Sequence, residues 1–154
     1  MPRQNAGEPV GVCGARVILV TIPGEMRGKG CPRFARRGAF VQTFTDEKTA
    51  NAETWVKACG VKAMAGEAPI TGPVWLRMNI AIVPPQSWSK KKRAAALAGE
   101  VFPTGKPDLD NCLKLVADAL NGIVWQDDKQ IVSMAGTKRY AEVAQTTLRV
   151  EGGG

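Results

Sequence analysis

Apolar and polar positions alternate most cleanly from Pro73 to Val83 (PVWLRMNIAIV). Val74, Leu76, Met78, Ile80 and Ile82 fall on one side, Trp75, Arg77 and Asn79 on the other. A period of two marks a strand with one buried face, and Pro84-Pro85 ends it. Arg16 to Ile22 (RVILVTI) is rich in β-branched residues and predicts a second strand, closed by Pro23-Gly24. Ile131 to Tyr140 and Thr146 to Val150 predict two more, and Phe40 to Phe44 a short one. Helical spacing takes over from Asp46 to Met64, where Thr45-Asp46-Glu47 places acids in the first turn. Ala52, Trp55, Val56, Cys59 and Ala63 lie on or near one side of that helix, with Trp55 expected in the core and Gly60 weakening the second half.

Ser87 to Gly99 reads as a short helix capped by Ser87 or Ser89. A third helix has sharper limits. Pro107 disfavours the α region at Lys106, Asp108 is placed to cap, and Leu109 opens the helix. Leu109, Leu113, Val116 and Leu120 form its apolar face, and Asn121-Gly122 is a stop signal. Ile123-Val124-Trp125 is a short run that dives into the core, and Asp127-Asp128 emerge before Ile131.

These elements predict a single α+β domain, a mixed β-sheet with helices packed on it, over residues 16–150. Residues 1–15 read as a flexible leader and 151–154 as a flexible tail. A chain of 154 residues, 44% hydrophobic, supports one core. No apolar run is long enough to span a bilayer, and the start MPRQNAGEPVGV lacks a signal-peptide stretch, so a cytoplasmic location is expected, in a bacterial cell or for a phage protein in its host.

Charge adds a partner class. The 21 Lys and Arg against 14 Asp and Glu leave +7, which suits a polyanion and equally an ordinary basic protein. Cys13, Cys31, Cys59 and Cys112 are scattered, and histidine is absent. The usual zinc spacings, a Ser-His or Cys-His nucleophile and a histidine base are thereby excluded. Chemistry here runs on carboxylates, lysine and metal.

Against that basic background, residues 106–131 (KPDLDNCLKLVADALNGIVWQDDKQI) hold five carboxylates: Asp108, Asp110, Asp118, Asp127 and Asp128. Asp110, Lys114 and Asp118 are four apart and share a helix face. Spacing alone does not decide whether Asp127-Asp128 fold back to the helix start. If they do, clustered carboxylates suit Mg²⁺, which takes oxygen ligands and keeps several waters. The plainer alternative is that Asp108 and Asp110 complement the helix dipole and Asp127-Asp128 form a turn. Arg27, Lys29, Arg33, Arg36 and Arg37 lie among glycines in a segment that fits either phosphate contact or a solvated loop. Lys90, Lys91, Lys92 and Arg93 crowd a helix's first turn, where cations oppose the dipole; they fit a phosphate grip or a solvated turn.

The run K-P-D-L-D-N-x-x-K, then D-A-L-N-G, W-x-D-D and Q-I, closely resembles the RusA family of Holliday junction resolvases, metal-dependent endonucleases that cut four-way DNA junctions. In weaker form, Gly28 to Arg33 resembles the family's basic K-G-R-P-R segment, with Cys31 where many members have arginine. Ser87 to Arg93 resembles the basic insert of longer members, and residues 16–150 are covered in all. The resemblance implies that Asp108, Asp110 and Asp128 are the catalytic metal-binding acids, with Lys114 the catalytic lysine. Asp127 and Asn111 match acidic and polar neighbours, Asp127 as a further candidate ligand. It implies Mg²⁺ (with Mn²⁺ substituting), a homodimer, and branched DNA contacted by the two basic segments and Lys106. Rival expectations are a non-catalytic branched-DNA-binding protein and a divergent nuclease of other branched DNA. A phosphatase or nucleotidyl transferase usually carries D-x-D at the end of an apolar strand, whereas Thr104-Gly105-Lys106-Pro107 precedes it here.

Overall fold

The structure, a computed structural model, describes residues 16–26, 33–37, 40–44 and 47–153. In chain order they form β1 (Arg16–Pro23), β2 (Arg33–Arg37), β3 (Phe40–Phe44), α1 (Glu47–Met64), β4 (Val74–Ile82), α2 (Lys90–Leu97), α3 (Leu109–Leu120), β5 (Ile131–Tyr140) and β6 (Gln145–Gly152). The clean alternation of Val74–Ile82 becomes an interior strand. The main sheet has the order β1-β6-β4-β5, with β4 and β5 parallel and β6 antiparallel to both β1 and β4. A parallel pair needs a long crossover, and α2 and α3 lie in the one that joins β4 to β5. The fold is therefore α+β with a mixed sheet, as the pattern predicts. β2 and β3 pair as a separate antiparallel ribbon, so Arg33–Arg37, expected as loop, is strand.

The sheet's inner face is apolar. Val20, Val74, Met78, Ile80, Leu148 and Val150 are buried under α1 and α3. The burial of α3 is wider than its predicted stripe. Cys112, Leu115 and Ala119 are buried with Val116 and Leu120, while Leu109 and Leu113 are half-buried, because α3 contacts both α1 and β5.

Trp55 corrects the sequence reading of α1. It is 50% exposed and its Nε1 donates to the Pro23 carbonyl at 3.0 Å. Val56, Gly60 and Met64 are the buried positions instead. The reason lies at Gly60, where a Cβ would collide with Leu120 Cδ2. The helices meet backbone-close at that glycine, and this rotates Trp55 outward. Gly60→Ala should lower stability by about 1 kcal/mol, since overpacking against a buried leucine outweighs the gain in helix propensity. Urea denaturation checks this; a stabilised variant would show that Leu120 yields freely.

β6 also runs farther than expected. It includes Glu151 and Gly152, Gly152 pairs with Arg16 and Val74, and Gly153 N–H donates to the Pro73 carbonyl at 3.1 Å. Residues 1–15 and Gly154 lie outside the described residues. Among the described residues, no helix is long and apolar enough to cross a membrane.

Candidate active site

The acids of residues 106–131 occupy the two ends of α3. At its start, Asp108 has the extended backbone of a cap residue (φ −70°, ψ 128°), but its side chain caps no backbone N–H. Its carboxylate accepts instead from Asn111 Nδ2 at 3.2 Å. Asp110 follows in the first turn, where the helix dipole favours an anion. Both carboxylates are exposed. Asp110 and Lys114 form no hydrogen bond or ion pair with other described residues. Lys138 Nζ donates to the carbonyls of Gly105 and Pro107, at 2.8 and 3.0 Å, just before Asp108.

The other end is built on a buried turn. Gly122 takes φ 79°, which a glycine adopts freely. The chain then buries Val124 and Trp125 completely. Ile70 N–H donates to the Val124 carbonyl at 2.8 Å, fastening this turn to the lead into β4. Asp127 next caps a single 3₁₀ turn, Asp128–Gln130, and its Oδ1 accepts from Lys129 N–H at 3.0 Å. Gln130 locks the turn from both ends of its amide. Its Oε1 accepts from Asp127 N–H at 2.7 Å, and its Nε2 donates to the carbonyls of Ile70 and Gly72 at 2.8 and 2.9 Å. The Lys129 N–H, with a hydrogen bond shared with Asp128, holds Asp127 below the usual carboxylate range. That shared bond pushes Asp128 up, with partial loss of water and the charges of Asp127 and Asp118 adding.

β5 runs back along α3. A Cβ at Gly136 would meet the Leu109 side chain, and Asp128 shares a groove with Ala117 and residues Ile131 to Met134. Asp128 is therefore placed beside Asp118 and not beside the helix start. Eight residues separate Asp110 from Asp118, about 12 Å at 1.5 Å per residue. Among the described residues, no group of three or more acidic or cysteine side chains converges on a common point. The structure thus pairs Asp108 with Asp110, and Asp127 and Asp128 with Asp118, as two acidic groups.

The first pair fits a hard cation in donor chemistry. It offers exposed carboxylate oxygens unpaired with any cation of the described residues, and Mg²⁺ is commonly held by one or two carboxylates plus water and substrate phosphate.

Cations lie nearby. Ser89 caps α2, its Oγ accepting from Lys92 N–H at 3.2 Å. Lys92 Nζ sits 3.9 Å from the centre of the Trp88 ring. Trp88 in turn packs edge-on against Tyr140, with ring centres 5.4 Å apart. Tyr140 ends β5, two residues beyond Lys138, so the basic turn of α2 and the Asp108–Asp110 pair share one end of that strand. Lys90, Lys91, Lys92 and Lys106 are exposed and Arg93 is half-buried. Arg27 and Lys29 lie outside the described residues, and Arg33, Arg36 and Arg37 are placed only as members of β2.

The sequence reading missed Lys138 and the bonding of Gln130. Gln130 had a signal in the Q-I that follows W-x-D-D; Lys138 had none beyond its charge.

Cys112 lies beneath the first acid pair. Burial pushes its thiol up to about 11; Lys138 pulls the other way, and Asp108 and Asp110 add to the rise. At pH 8 it should stay protonated and resist iodoacetamide in the folded protein, then react in denaturant. Peptide mass mapping of alkylated samples checks this; rapid native labelling of Cys112 would contradict the packing.

Two comparisons bear on the whole domain. Residues 23–151 match the family model described as Endodeoxyribonuclease RusA. The chain is also 36% identical over 135 residues to a Bacillus subtilis (strain 168) protein named "Uncharacterized protein YqaN", covering 86% of this chain and 94% of that protein.

Proposed function

The chain belongs to the RusA family of endodeoxyribonucleases, and on that premise we propose that it is a Mg²⁺-dependent nuclease that resolves four-way DNA junctions by paired phosphodiester hydrolysis. The observation that supports this most is the exposed Asp108–Asp110 pair at the start of α3, unpaired with any cation of the described residues, at the end of β5 that also carries the basic turn of α2. In this reading Asp108 and Asp110 hold the cation; Asp128, with Asp127 as its neighbour, is the third acid by its matched position in the family's pattern, although the fold sets it at the other end of α3 beside Asp118. A bound Mg²⁺ supplies charge to the scissile phosphate and lowers the pKa of a water; Mn²⁺ substitutes. Lys114, one turn along α3 from Asp110, faces the phosphate and offsets its growing charge. Lys90, Lys91, Lys92, Arg93 and Lys106 hold the DNA backbone, with the arginines at 27, 33, 36 and 37 and Lys29 assigned the same part. A homodimer suits the approximate two-fold symmetry of the junction, giving each opposed strand one site.

The test is a labelled synthetic four-way junction and a linear duplex, incubated with Mg²⁺, Mn²⁺ or EDTA. Symmetric nicks in the junction, dependent on metal and absent from the duplex, are expected. Tight binding with no cleavage at saturating protein in either metal would overturn the enzyme reading and leave a branched-DNA-binding protein.

Backbone contact has its own signature. Replacing Lys90, Lys91 and Lys92 by alanine should weaken junction binding and flatten the log–log salt dependence by about 2 to 3, near 0.9 per lost phosphate contact. Because Lys92 also covers Trp88, the Lys90→Ala, Lys91→Ala pair separates phosphate contact from local packing. An unchanged slope in that pair would make the run a solvated turn.

A further inference from the structure

Lys138 stands on the wrong face for a solvated lysine. In the parallel β4–β5 ladder it pairs with Ile80, as Gly136 pairs with Met78 and Tyr140 with Ile82. Paired residues point to the same face of a sheet, and Met78 and Ile80 are buried core. Lys138 therefore projects toward the helices, half-buried, where an ammonium must be hydrogen-bonded.

Its partners are informative. The ammonium bonds the carbonyls of Gly105 and Pro107 at 2.8 and 3.0 Å, and no carboxylate of the described residues lies within ion-pair distance of it. Asp108 follows Pro107 directly, so an ion pair was close at hand. Such a pair would occupy oxygens that a metal needs; bonding to carbonyls leaves them free. Residues 101–107 also make no backbone–backbone hydrogen bond among the described residues. The only hydrogen bonds to that segment from described residues come from Lys138. Among the described residues, the chain leading into the D-x-D pair is thus hydrogen-bonded to the sheet through one side chain, that of Lys138.

We propose that Lys138 is a positioning residue: by tying Gly105 and Pro107 to β5, it sets Asp108 and Asp110 to receive a divalent cation. This rests on the metal-dependent reading of that pair. Fixing ligand carriers in advance spares the ordering cost at binding, so loss of the tie weakens the cation site. Charge alone predicts the reverse, because removing a cation beside two carboxylates should tighten cation binding.

That opposition makes the test decisive. Mn²⁺ affinity is measured by titration calorimetry on the full chain without DNA, for the wild type, Lys138→Met and Lys138→Gln. Met keeps the bulk without donors; Gln keeps neutral donors on a stem one atom shorter. The expected result is an Mn²⁺ Kd raised about tenfold in Lys138→Met, the equivalent of about 1.4 kcal/mol. Lys138→Gln should fall between it and the wild type. The Mg²⁺ concentration for half-maximal junction cleavage should rise in the same order. Unchanged or tighter Mn²⁺ binding in folded Lys138→Met overturns the proposal. If that variant does not fold, Lys138→Gln decides by the same criterion. Wild-type protein that binds Mn²⁺ but cuts no junction sinks the nuclease reading and leaves the positioning role to the calorimetry. Wild-type protein with no saturable Mn²⁺ binding overturns the positioning proposal, and metal-dependent junction cleavage then decides the nuclease reading separately.

Discussion

Replacing Asp108 or Asp110 by asparagine should lower junction cleavage by roughly 10²- to 10⁴-fold while junction affinity stays equal or rises. The size follows from losing a ligand whose metal is worth several kcal/mol in the transition state, at 1.36 kcal/mol per tenfold. The direction of the binding change follows from charge, since each exposed carboxylate repels DNA phosphate and asparagine does not. The fold should tolerate both changes. The Asp108 side chain caps no backbone N–H and asparagine keeps an oxygen to accept from Asn111 Nδ2, so Asp108→Asn keeps the start of α3, and Asp110→Asn forfeits only a dipole interaction of about 0.3–1 kcal/mol. Lys114→Ala should differ, with cleavage reduced and binding slightly weakened, because the proposed reading sets this cation against phosphate. Gel-shift affinity in Ca²⁺ or EDTA, set beside single-turnover cleavage in Mg²⁺, separates the two effects. Weakened binding in Asp108→Asn with cleavage still intact would remove the pair from the metal site.

The same assay decides the third acid. Asp128→Asn should also suppress cleavage, and Asp118→Asn should matter less, since Lys114 makes no ion pair with it. The placement of Asp128 beside Asp118, at the far end of α3, sharpens that comparison. Near-normal cleavage in Asp128→Asn together with loss in Asp118→Asn would reassign the ligand.

Trp125→Ala should cost about 3–5 kcal/mol of unfolding free energy, the usual range for deleting a large buried aromatic. Trp125 is fully buried, and its Nε1 has no hydrogen-bond partner among the described residues. An unpaired buried donor carries a desolvation penalty of about 1–3 kcal/mol. Phenylalanine removes that donor and keeps most of the ring, so Trp125→Phe should lose less than half as much as Trp125→Ala. Urea denaturation followed by circular dichroism reads both. Equal losses would mean that the Nε1 is satisfied. Since Trp125 anchors the chain two residues before Asp127, the alanine variant should also loosen the 3₁₀ turn that presents Asp128.

Features encoded within a few residues were legible in the sequence. The alternation of residues 74–82 determined a strand and its buried side, because side-chain direction repeats every two residues whatever lies opposite. Asp108 and Asn121-Gly122 bounded α3 because the extended backbone at Asp108, after Pro107, and the positive φ at Gly122 are set by those residues themselves. The acids, with Lys114 and W-x-D-D, identified the RusA family, since that spacing is carried by the chain itself. Other features needed the tertiary structure. The exposure of Trp55 depends on how closely α1 can approach α3 at Gly60, a contact between residues 60 apart in sequence. The pairing of Lys138 with Gly105 and Pro107, 33 and 31 residues away, exists only because β5 lies parallel to β4 and runs back along α3. That antiparallel run of helix and strand also decided that Asp128 lies beside Asp118. Spacing constrains where a side chain points along its own element; which elements lie together is settled by burying their apolar faces jointly, and that no local pattern contains.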